Sequence, residues 1–303
     1  MKIVIFGATG VQGAAQVRAV QRLGHTPVCA LRNPGAAEAI ADKPAQGVYA
    51  DLYKPETLAP VIAGADAVLM NLPSTSFQEA APLIHAAEVI AKAAAATPSV
   101  KMLAFNTSLP VMDHPLGFAS HDARLEMRRR IFAAGGRAVV LQPVVFLDNL
   151  VNAWAWPHIK EEGRLWYPHA PGLDVSWICH DDIASLMLAT IERPQLSGKA
   201  IPIGGPQTVR GPVLAQILSD VWGRKLRFES QSIREFTASM ARVFEGKASM
   251  AQQRLIDELG RIYAWYNSGP ERPFYVDMEP VLKMLPVELT PIHVWARGKK
   301  LPG

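Results

Sequence analysis

The chain alternates between short apolar runs and longer stretches in which apolar residues recur at helical spacing. Each of six short apolar runs predicts a buried strand: 3–6, 26–31, 48–50, 67–71, 102–106 and 138–141. Helices are predicted after several of these strands, the longest over 77–96 and another over about 121–134. Because strands and helices alternate, the pattern predicts an α/β protein with a doubly wound parallel sheet.

The first predicted strand ends in a glycine-rich turn, Gly7-Ala8-Thr9-Gly10-Val11-Gln12-Gly13, and a helix follows until Gly24 closes it. Such a turn aims the first N–H groups of the helix, and its positive dipole end, at one point where a pyrophosphate can bind. The spacing differs by one residue from the G-x-G-x-x-G fingerprint of many dehydrogenases. The strand–turn–helix context favours a dinucleotide cradle over an ordinary glycine turn.

Arg32 and Asn33 follow the second strand, where an NAD-specific site presents an Asp or Glu to the ribose 2′-hydroxyl. An arginine offers a planar, permanently charged fork to a 2′-phosphate instead. The position therefore predicts NADP(H) rather than NAD(H). The alternative is a solvated arginine at a strand end.

The two halves of the chain differ in character. Residues 1–150 are predicted to form an NADP(H)-binding domain of the Rossmann type. Residues 151–303 are richer in Trp, Pro and Tyr and are predicted to be mostly a smaller substrate-binding lobe. The stretch 154–171 and the chain from Ser232 onward would leave the sheet, whereas a strand over 175–178 and a helix near 212–222 would return to it.

Composition excludes several classes of protein. With 303 residues, 49% hydrophobic and 19% charged, the chain can bury a large core. The net charge is +4, but the cations are scattered apart from 128–130 and 297–300, so a nucleic-acid partner is not expected. The arginine triplet 128–130 is expected on the solvated side of a helix.

No membrane association and no metal site are expected. The sequence has no apolar run of about eighteen residues and no charged-then-apolar leader, which predicts a cytoplasmic protein. Cys29 and Cys179 lie in apolar runs without C-x-x-C spacing, which indicates buried thiols rather than a disulfide or a zinc site.

Several segments together resemble the NmrA-like group of atypical short-chain dehydrogenases/reductases, over most of the chain. They are Gly7 to Gly13, Arg32-Asn33-Pro34, Ala50-Asp51-Leu52, the helix with Glu126, Leu141-Gln142-Pro143, Phe146 with Asp148-Asn149-Leu150, Trp177-Ile178 with Asp181-Asp182-Ile183-Ala184, Gly204-Gly205, and Gly223-Arg224.

The resemblance implies a cofactor site along the carboxyl ends of the strands. By that resemblance Asp51 and Leu52 would flank the adenine, 71–73 would line the cofactor, and Asn106 with 143–146 would approach the nicotinamide. The predicted cofactor-binding residues are Gly7, Thr9, Gly10, Val11, Gln12, Gly13, Arg32, Asn33, Asp51, Leu52, Asn71, Leu72, Pro73, Asn106, Pro143, Val144 and Phe146.

The usual proton donor is missing. Short-chain reductases typically place a Tyr and, four residues later, a Lys on the helix after strand five, so that the phenol can protonate the substrate oxygen. Counting back from Glu126, these positions hold Phe118 and Asp122, and the nearest cation is Arg124. Gln142 stands where the family usually has Arg.

Other side chains could donate the proton. They are Thr107 and Ser108 at the end of strand five, His114 and His121 beyond it, and Tyr167 and His169 in the aromatic region. Ser108 and Tyr167 are the catalytic candidates, although Thr107 and Ser108 can equally anchor the loop, and the histidines are expected to be structural. Asp182 is expected to be a helix cap or a first-turn acid rather than a ligand.

The first functional hypothesis follows from this missing acid. A quinone or a conjugated enone gathers charge on oxygens that a weak donor can protonate. Six aromatic residues could form a flat pocket beside the nicotinamide, with at least half of them expected in the core: Phe146, Trp154, Trp156, Trp166, Tyr167 and Trp177. The hypothesis is an NADPH-dependent reductase of a small conjugated or aromatic carbonyl compound.

The rival hypothesis is a non-catalytic NADP(H)-binding redox sensor, as the resemblance to the NmrA-like group implies, or a subunit that holds NADPH permanently. The missing Tyr and Lys favour it. The sequence leaves the substrate and the oligomeric state open.

Overall fold

A computed structural model describes residues 1–41, 43–75, 79–152, 154–243, 250–269 and 271–299. Nine strands lie within these ranges. They are β1 (Lys2–Phe6), β2 (Thr26–Leu31), β3 (Gln46–Tyr49), β4 (Ala67–Asn71), β5 (Leu103–Asn106), β6 (Ala138–Pro143), β7 (Arg164–Tyr167), β8 (Ala200–Ile203) and β9 (Arg227–Ser230).

Eleven α-helices lie in the same ranges. They are α1 (Val11–Arg22), α2 (Ala59–Ile62), α3 (Ala81–Ala95), α4 (Ala119–Ala133), α5 (Trp156–Glu162), α6 (His180–Thr190), α7 (Gly211–Trp222), α8 (Ile233–Val243), α9 (Met250–Ser268), α10 (Met278–Met284) and α11 (Ile292–Arg297).

Seven strands form one parallel sheet in the order β3-β2-β1-β4-β5-β6-β8. This confirms the predicted doubly wound α/β fold. The strand order reverses between β1 and β4, which pair in parallel with Ile3 opposite Ala67. In such sheets the crevice at the carboxyl ends of the strands, beside the reversal, is where ligands bind. β7 and β9 form a separate parallel pair.

The central strands are buried on both faces. Along β1, Ile3 and Ile5 pack in the core beneath α1 and α6, whereas Val4 and Phe6 pack in the core beneath α3 and α4. Successive side chains of a strand point to opposite faces, so both faces of the sheet are covered. This explains why the strands are uninterrupted apolar runs rather than alternating ones.

Most predicted elements are present, with ends shifted by a few residues. The helix predicted over 77–96 begins at Ala81, and Phe77 lies outside the described residues. The strand predicted over 175–178 is wrong. Val175 and Ile178 form only isolated bridges, to Val209 and Phe146, because the backbone of Ser176 bonds to Phe274 and Gly205 in the surrounding loops.

The arginine triplet is only partly solvated, which corrects the expectation of a solvated face. Arg129 is exposed and Arg130 is half-buried in ion pairs with Glu126 and Glu88. Arg128 is buried and donates to the carbonyl oxygen of Met112 and to Asp113. The reason is helical periodicity, since Arg128 lies one turn after the buried Arg124 on the inward face of α4.

Both cysteines are free and buried, as predicted. Burial raises the pKa of the Cys29 thiol to about 11 and that of Cys179 to about 12. Within the part of the chain that the structure describes, no helix is both long enough and apolar enough to cross a bilayer. Among the same residues, no cluster of three or more His, Cys, Asp or Glu side chains is arranged to hold a metal ion.

Candidate cofactor and substrate site

The glycine turn connects β1 to α1 at the carboxyl edge of the sheet, and two of its glycines are required by packing. Gly7 has a φ of +76°, and a Cβ there would lie 2.4 Å from the carbonyl oxygen of Asn71. A Cβ on Gly13 would lie 2.1 Å from the carbonyl oxygen of Gly7. The turn therefore packs directly against β4 and against its own helix.

Gly10 has a different role. Its φ of −74° and ψ of 159° are open to any residue, and a Cβ there would meet nothing closer than the Gly7 oxygen at 3.4 Å. The protein itself does not need a glycine at this position. The missing side chain instead leaves open space at the start of α1.

The start of α1 is built to receive an anion. Gly10 supplies no capping side chain, and the first turn carries no acidic residue. The first helical hydrogen bond runs from Ala14 N to Gly10 O, so the N–H groups of Val11, Gln12 and Gly13 have no acceptor among the described residues. Free N–H groups at a helix N-terminus, together with the helix dipole, favour a phosphate.

Two cavities meet over this turn. The turn cavity, about 330 Å³ in volume, is lined by 9–13 and by 71–74, and it reaches Ser108. The outer cavity, about 240 Å³, lies between the turn and the ends of β2 and β3. Its further lining residues are Leu31, Arg32, Ala50, Asp51, Leu52 and Tyr53. Gly7, Thr9 and Pro73 line both cavities.

The charged end of the outer cavity is Arg32. This side chain is exposed and makes no ion pair or hydrogen bond with any described residue. Tyr53, which sequence reasoning missed, also lines the cavity and is 50% exposed. Asn33 precedes the short helix Pro34–Ala39 as its cap residue and does not line the cavity as described.

A chain of buried amides runs beneath the turn cavity. Gln16 and Asn71 exchange two hydrogen bonds, of 2.8 and 2.7 Å, and the Nδ2 of Asn106 donates to Asn71 Oδ1 at 3.1 Å and to Gln12 Oε1 at 2.5 Å. Gln12 Nε2 then donates to Ser108 Oγ at 3.2 Å. The chain connects α1 to the ends of β4 and β5, and Gln16 was not predicted from the sequence.

Ser108 is held in a strained backbone conformation. Its φ is +62°, a region that residues other than glycine rarely adopt. Its N–H donates to Asn106 Oδ1 at 2.9 Å, which holds the turn. Strain of this kind persists only where surrounding contacts impose it, and it is concentrated at ligand sites.

A third cavity, here called the aromatic cavity, adjoins the turn cavity. It has a volume of about 140 Å³, and Ser74 and Ser108 line both cavities. One wall is formed by Val144, Val145 and Phe146 after β6, together with Asn149. The opposite wall belongs to α9: Leu259, Ile262, Tyr263 and Tyr266.

These α9 residues were missed, although their spacing of three and four residues indicates one helical face. That spacing does not reveal which part of the sheet the face covers. Of the predicted cofactor residues, Asn106 lies in the amide chain and Pro143 ends β6, and neither lines the three cavities as described.

Six aromatic residues could have formed a pocket, with at least half of them expected in the core; Phe146 lines the aromatic cavity, and the other five do not. Trp156 packs against Trp222, and Trp166 packs against His158. The other three residues, Trp154, Tyr167 and Trp177, pack edge-on or tilted behind the cavity. Tyr167 is therefore buried next to the cavity rather than in its wall.

Phe118 and Asp122, at the usual Tyr and Lys positions, have structural roles. Phe118 packs against Trp265. Asp122 accepts the N–H groups of Leu116 and Gly117 and pairs with the Nδ1 of His121. The other ring nitrogen of His121 accepts from Met112 N, and burial is the main effect that lowers the pKa of this histidine. The His121–Asp122 pair thus holds the loop before α4.

Other α4 and loop residues also hold this region together. Arg124, 1% exposed, donates to the carbonyl oxygens of Leu72 and Pro73, and burial lowers its pKa to about 10. Gln142 donates to Val111 O, and Thr107 Oγ1 donates to Leu109 O. Thr107 thus anchors the loop after β5, which is one of the two alternatives that the sequence left open, and His114 is exposed.

Asp182 is a first-turn acid of α6, whose cap residue is Cys179. It does not cap the helix but accepts from the N–H and the hydroxyl of Thr290 at 2.9 and 2.7 Å. Burial raises its pKa against these hydrogen bonds. Asp181 pairs with Arg18 at the surface.

A parallel sheet with a glycine turn at its first carboxyl end defines a Rossmann-type α/β protein. Residues 1–268 match the NmrA-like family, and the chain belongs to that family. It is 27% identical over 266 residues to the NAD(P)H azoreductase of Xenophilus azovorans. The aligned region covers 86% of this chain and 86% of the azoreductase.

Two solved structures resemble this chain along most of its length. One is an NADPH-dependent quinone oxidoreductase of Escherichia coli in complex with NADPH, with a TM-score of 0.75 and 21% identity over 98% of this chain and 99% of that chain. The other is NmrA, a negative transcriptional regulator, in complex with NADP, with a TM-score of 0.73 and 16% identity over 98% and 94%. At these identities the likeness shows the fold alone.

We expect Gly10→Ala to weaken NADPH binding at least roughly tenfold while leaving the free energy of unfolding within about 0.5 kcal/mol of wild type, because the backbone already suits alanine. Gly13→Ala should instead destabilise the protein by about 1–3 kcal/mol through overlap with Gly7 O. Urea unfolding and NADPH fluorescence titration measure the two effects. Unchanged NADPH affinity in the Gly10 variant would contradict a phosphate at the helix start.

Protonation of His169 should destabilise the protein in acid. Its ring is buried, its Nε2 has no hydrogen-bond partner among the described residues, and burial lowers its pKa from 6.5 to about 3. Above pH 6.5 the His169 ring is neutral in the folded and in the unfolded protein. Below pH 6.5 the ring takes up a proton first in the unfolded protein, where its pKa is higher. Stability is then lost at about 1.4 kcal/mol per pH unit until the folded pKa is reached.

Urea unfolding at several pH values measures this loss. Between pH 6.5 and pH 5, wild type should lose about 2 kcal/mol more than His169→Phe. The exposed control His114→Gln should follow wild type. Parallel pH curves for wild type and His169→Phe would show that His169 titrates normally in the folded protein.

Proposed function

We propose that the protein is an NADPH-dependent reductase of a small conjugated or aromatic carbonyl compound, such as a quinone or an enone. The observation that carries the proposal is the junction between the turn cavity and the aromatic cavity at Ser74 and Ser108. A nucleotide on the glycine turn and a flat acceptor in the aromatic cavity would meet there.

The residues that line the turn cavity and the outer cavity fit a dinucleotide. The free N–H groups at the start of α1 suit the pyrophosphate, and the open space at Gly10 admits it. We assign the adenine to Asp51 and Leu52, which follow β3 and line the outer cavity. When bound, the cofactor would supply a hydride, and the protein would supply position and exclusion of water.

Arg32 is the residue we assign to the 2′-phosphate of NADP(H). Arg32 forms no ion pair with any described residue, so its charge is available to a ligand. An exposed guanidinium can form a bidentate contact with phosphate, and Tyr53 lies on the same cavity wall. The similarity to an NAD(P)H azoreductase and to an NADPH-dependent quinone oxidoreductase supports a nicotinamide cofactor.

The aromatic cavity supports a small, flat acceptor. More than half of its lining residues are apolar, and the polar ones are Ser74, Ser108, Ser120, Asn149, Tyr263 and Tyr266. An apolar cavity of about 150 Å³ holds one benzene-sized ring, close to the volume of this cavity. A single conjugated ring therefore fits inside, and larger acceptors would have to extend out of it.

Ser108 is the sequence-predicted candidate that lies at the junction. Its strained backbone holds the hydroxyl beside both cavities, and Gln12 donates to that hydroxyl. We assign it to contact the acceptor next to the cofactor. Tyr167, the second candidate, lies behind the cavity wall.

A redox sensor is the second candidate function. One observation favours it: Phe118 and Asp122 hold structural contacts at the positions where Tyr and Lys usually act. NmrA, whose structure resembles this chain, is a negative transcriptional regulator and was solved in complex with NADP. A sensor would bind NADP(H) without turning over acceptors.

The reductase hypothesis predicts that the purified protein oxidises NADPH when given a single-ring quinone or enone. Loss of NADPH absorbance is followed with quinones, enones, aldehydes, aromatic ketones and one multi-ring azo dye, minus the rate without protein. Single-ring conjugated acceptors should react fastest, because they fit the aromatic cavity. Tight NADPH binding with no acceptor above background would favour the sensor.

Arg32→Ala should raise the Kd for NADPH roughly 10- to 100-fold, because a charge-assisted hydrogen bond contributes about 1.5–3 kcal/mol. The Kd for NADH should change little. Arg129→Ala, which removes an equally exposed arginine on α4, serves as the control. Titration of both nucleotides measures the effect, and equal losses for NADPH and NADH would remove the 2′-phosphate role.

A further inference from the structure

The inner end of the aromatic cavity carries an ordered chain of polar groups that none of the assigned roles uses. Asn149 and Tyr263 line the cavity, and Tyr167 is buried directly behind them. Asn149 Nδ2 donates to the Tyr167 hydroxyl at 3.3 Å. The Tyr167 and Tyr263 hydroxyls interact with each other electrostatically, and burial is the main effect that raises the pKa of both.

The hydrogen bond from Asn149 fixes the role of the Tyr167 oxygen. An amide nitrogen can only donate, so the Tyr167 oxygen is the acceptor in this bond. The neighbouring hydroxyl with which Tyr167 interacts is that of Tyr263. The Tyr263 O–H has no hydrogen-bond acceptor among the described residues, so it is available to the cavity that the residue lines.

Packing holds Tyr263 rigidly in this place. Its ring contacts Phe236 with centroids 4.6 Å apart, Tyr266 at 5.5 Å, and His169 in a stacked pair at 6.1 Å. An aromatic side chain fixed on three sides keeps its hydroxyl in one position. A hydrogen-bond donor that needs no reorganisation is the kind that best stabilises developing negative charge.

We propose that the Tyr263 hydroxyl is the catalytic hydrogen-bond donor to the carbonyl oxygen of the acceptor, with Tyr167 and Asn149 as the positioning residues behind it. The assignment rests on the proposed reductase function. It moves the donor from the helix after strand five, where Phe118 and Asp122 lie, to α9 of the C-terminal half.

When bound, the reduced nicotinamide would supply the hydride that carries both electrons of the reduction, and it would leave as the oxidised cofactor. The Tyr263 O–H donates a hydrogen bond to the carbonyl oxygen of the acceptor, on which negative charge develops, and water supplies the proton that completes the two-electron reduction. Burial raises the pKa of Tyr263 to about 12, so the phenol stays protonated and acts as a donor rather than a base.

Tyr266 supplies a matched control. It also lies on α9 and lines the same cavity, but its hydroxyl interacts with that of Tyr263, whereas the Tyr263 hydroxyl interacts with that of Tyr167. Tyr263→Phe and Tyr266→Phe each remove one hydroxyl from the same wall. Only the first removes the hydroxyl that lies next to Tyr167 and Asn149.

The first test needs no turnover and uses 4-nitrophenolate, which is a one-ring oxyanion. It is titrated into the protein in the presence of NADP⁺, at a pH at which the nitrophenol is ionised. Tyr263→Phe should bind it roughly 10- to 100-fold more weakly than wild type, because a charge-assisted hydrogen bond is lost. Tyr167→Phe should weaken binding less, and Tyr266→Phe should match wild type. The nitrophenolate absorbance band should shift on binding to wild type and not to Tyr263→Phe.

The second test uses a single-ring quinone as substrate. Tyr263→Phe should lower kcat about a hundredfold with little change in KM for NADPH or in the urea midpoint. Unchanged nitrophenolate affinity in Tyr263→Phe overturns the assignment even if the protein proves to be a reductase. If the wild type turns over no acceptor, but Tyr263→Phe still binds nitrophenolate more weakly than the wild type, the oxyanion site stands and the reductase proposal fails.

Discussion

The close approach of the glycine turn to β4 is the constraint on which the rest of the site depends. Gly7 lies so near the Asn71 carbonyl that any side chain would overlap it, and Gly13 lies equally near the carbonyl of Gly7. These two contacts set α1 with its N-terminus at the carboxyl edge of the sheet. The free N–H groups, the open space at Gly10 and the cavities on either side all follow from that placement.

Polar groups then extend this arrangement across the sheet. In a buried site each amide needs a partner, because an unsatisfied polar group costs about 1–3 kcal/mol. Gln16, Asn71, Asn106 and Gln12 satisfy one another in a chain that ends at Ser108. The chain connects the position of the turn to the strained residue that separates the turn cavity from the aromatic cavity.

Helix α4 follows strand β5, where related reductases carry their proton donor, but its side chains here have structural roles. Arg124 holds the carbonyls after β4, and the His121–Asp122 pair with Arg128 holds the loop after β5. A helix committed to these contacts has no free acid to present. The ordered hydroxyls of the site come instead from β7 and α9, in a part of the chain far from the glycine turn in sequence.

The sequence by itself determined the parallel sheet, the glycine turn and the position of Arg32, because each depends on residues adjacent in the chain: an apolar run, a strand–turn–helix spacing, a strand end. Ser108 and Phe146, which the sequence offers as site residues, line the aromatic cavity, whereas Trp156 and Trp166, offered for the same region, do not. Only the tertiary structure decided which face of α9 closes the aromatic cavity and that Tyr263 meets Tyr167. Helical periodicity shows that a face is apolar, but what that face covers depends on packing between segments about a hundred residues apart.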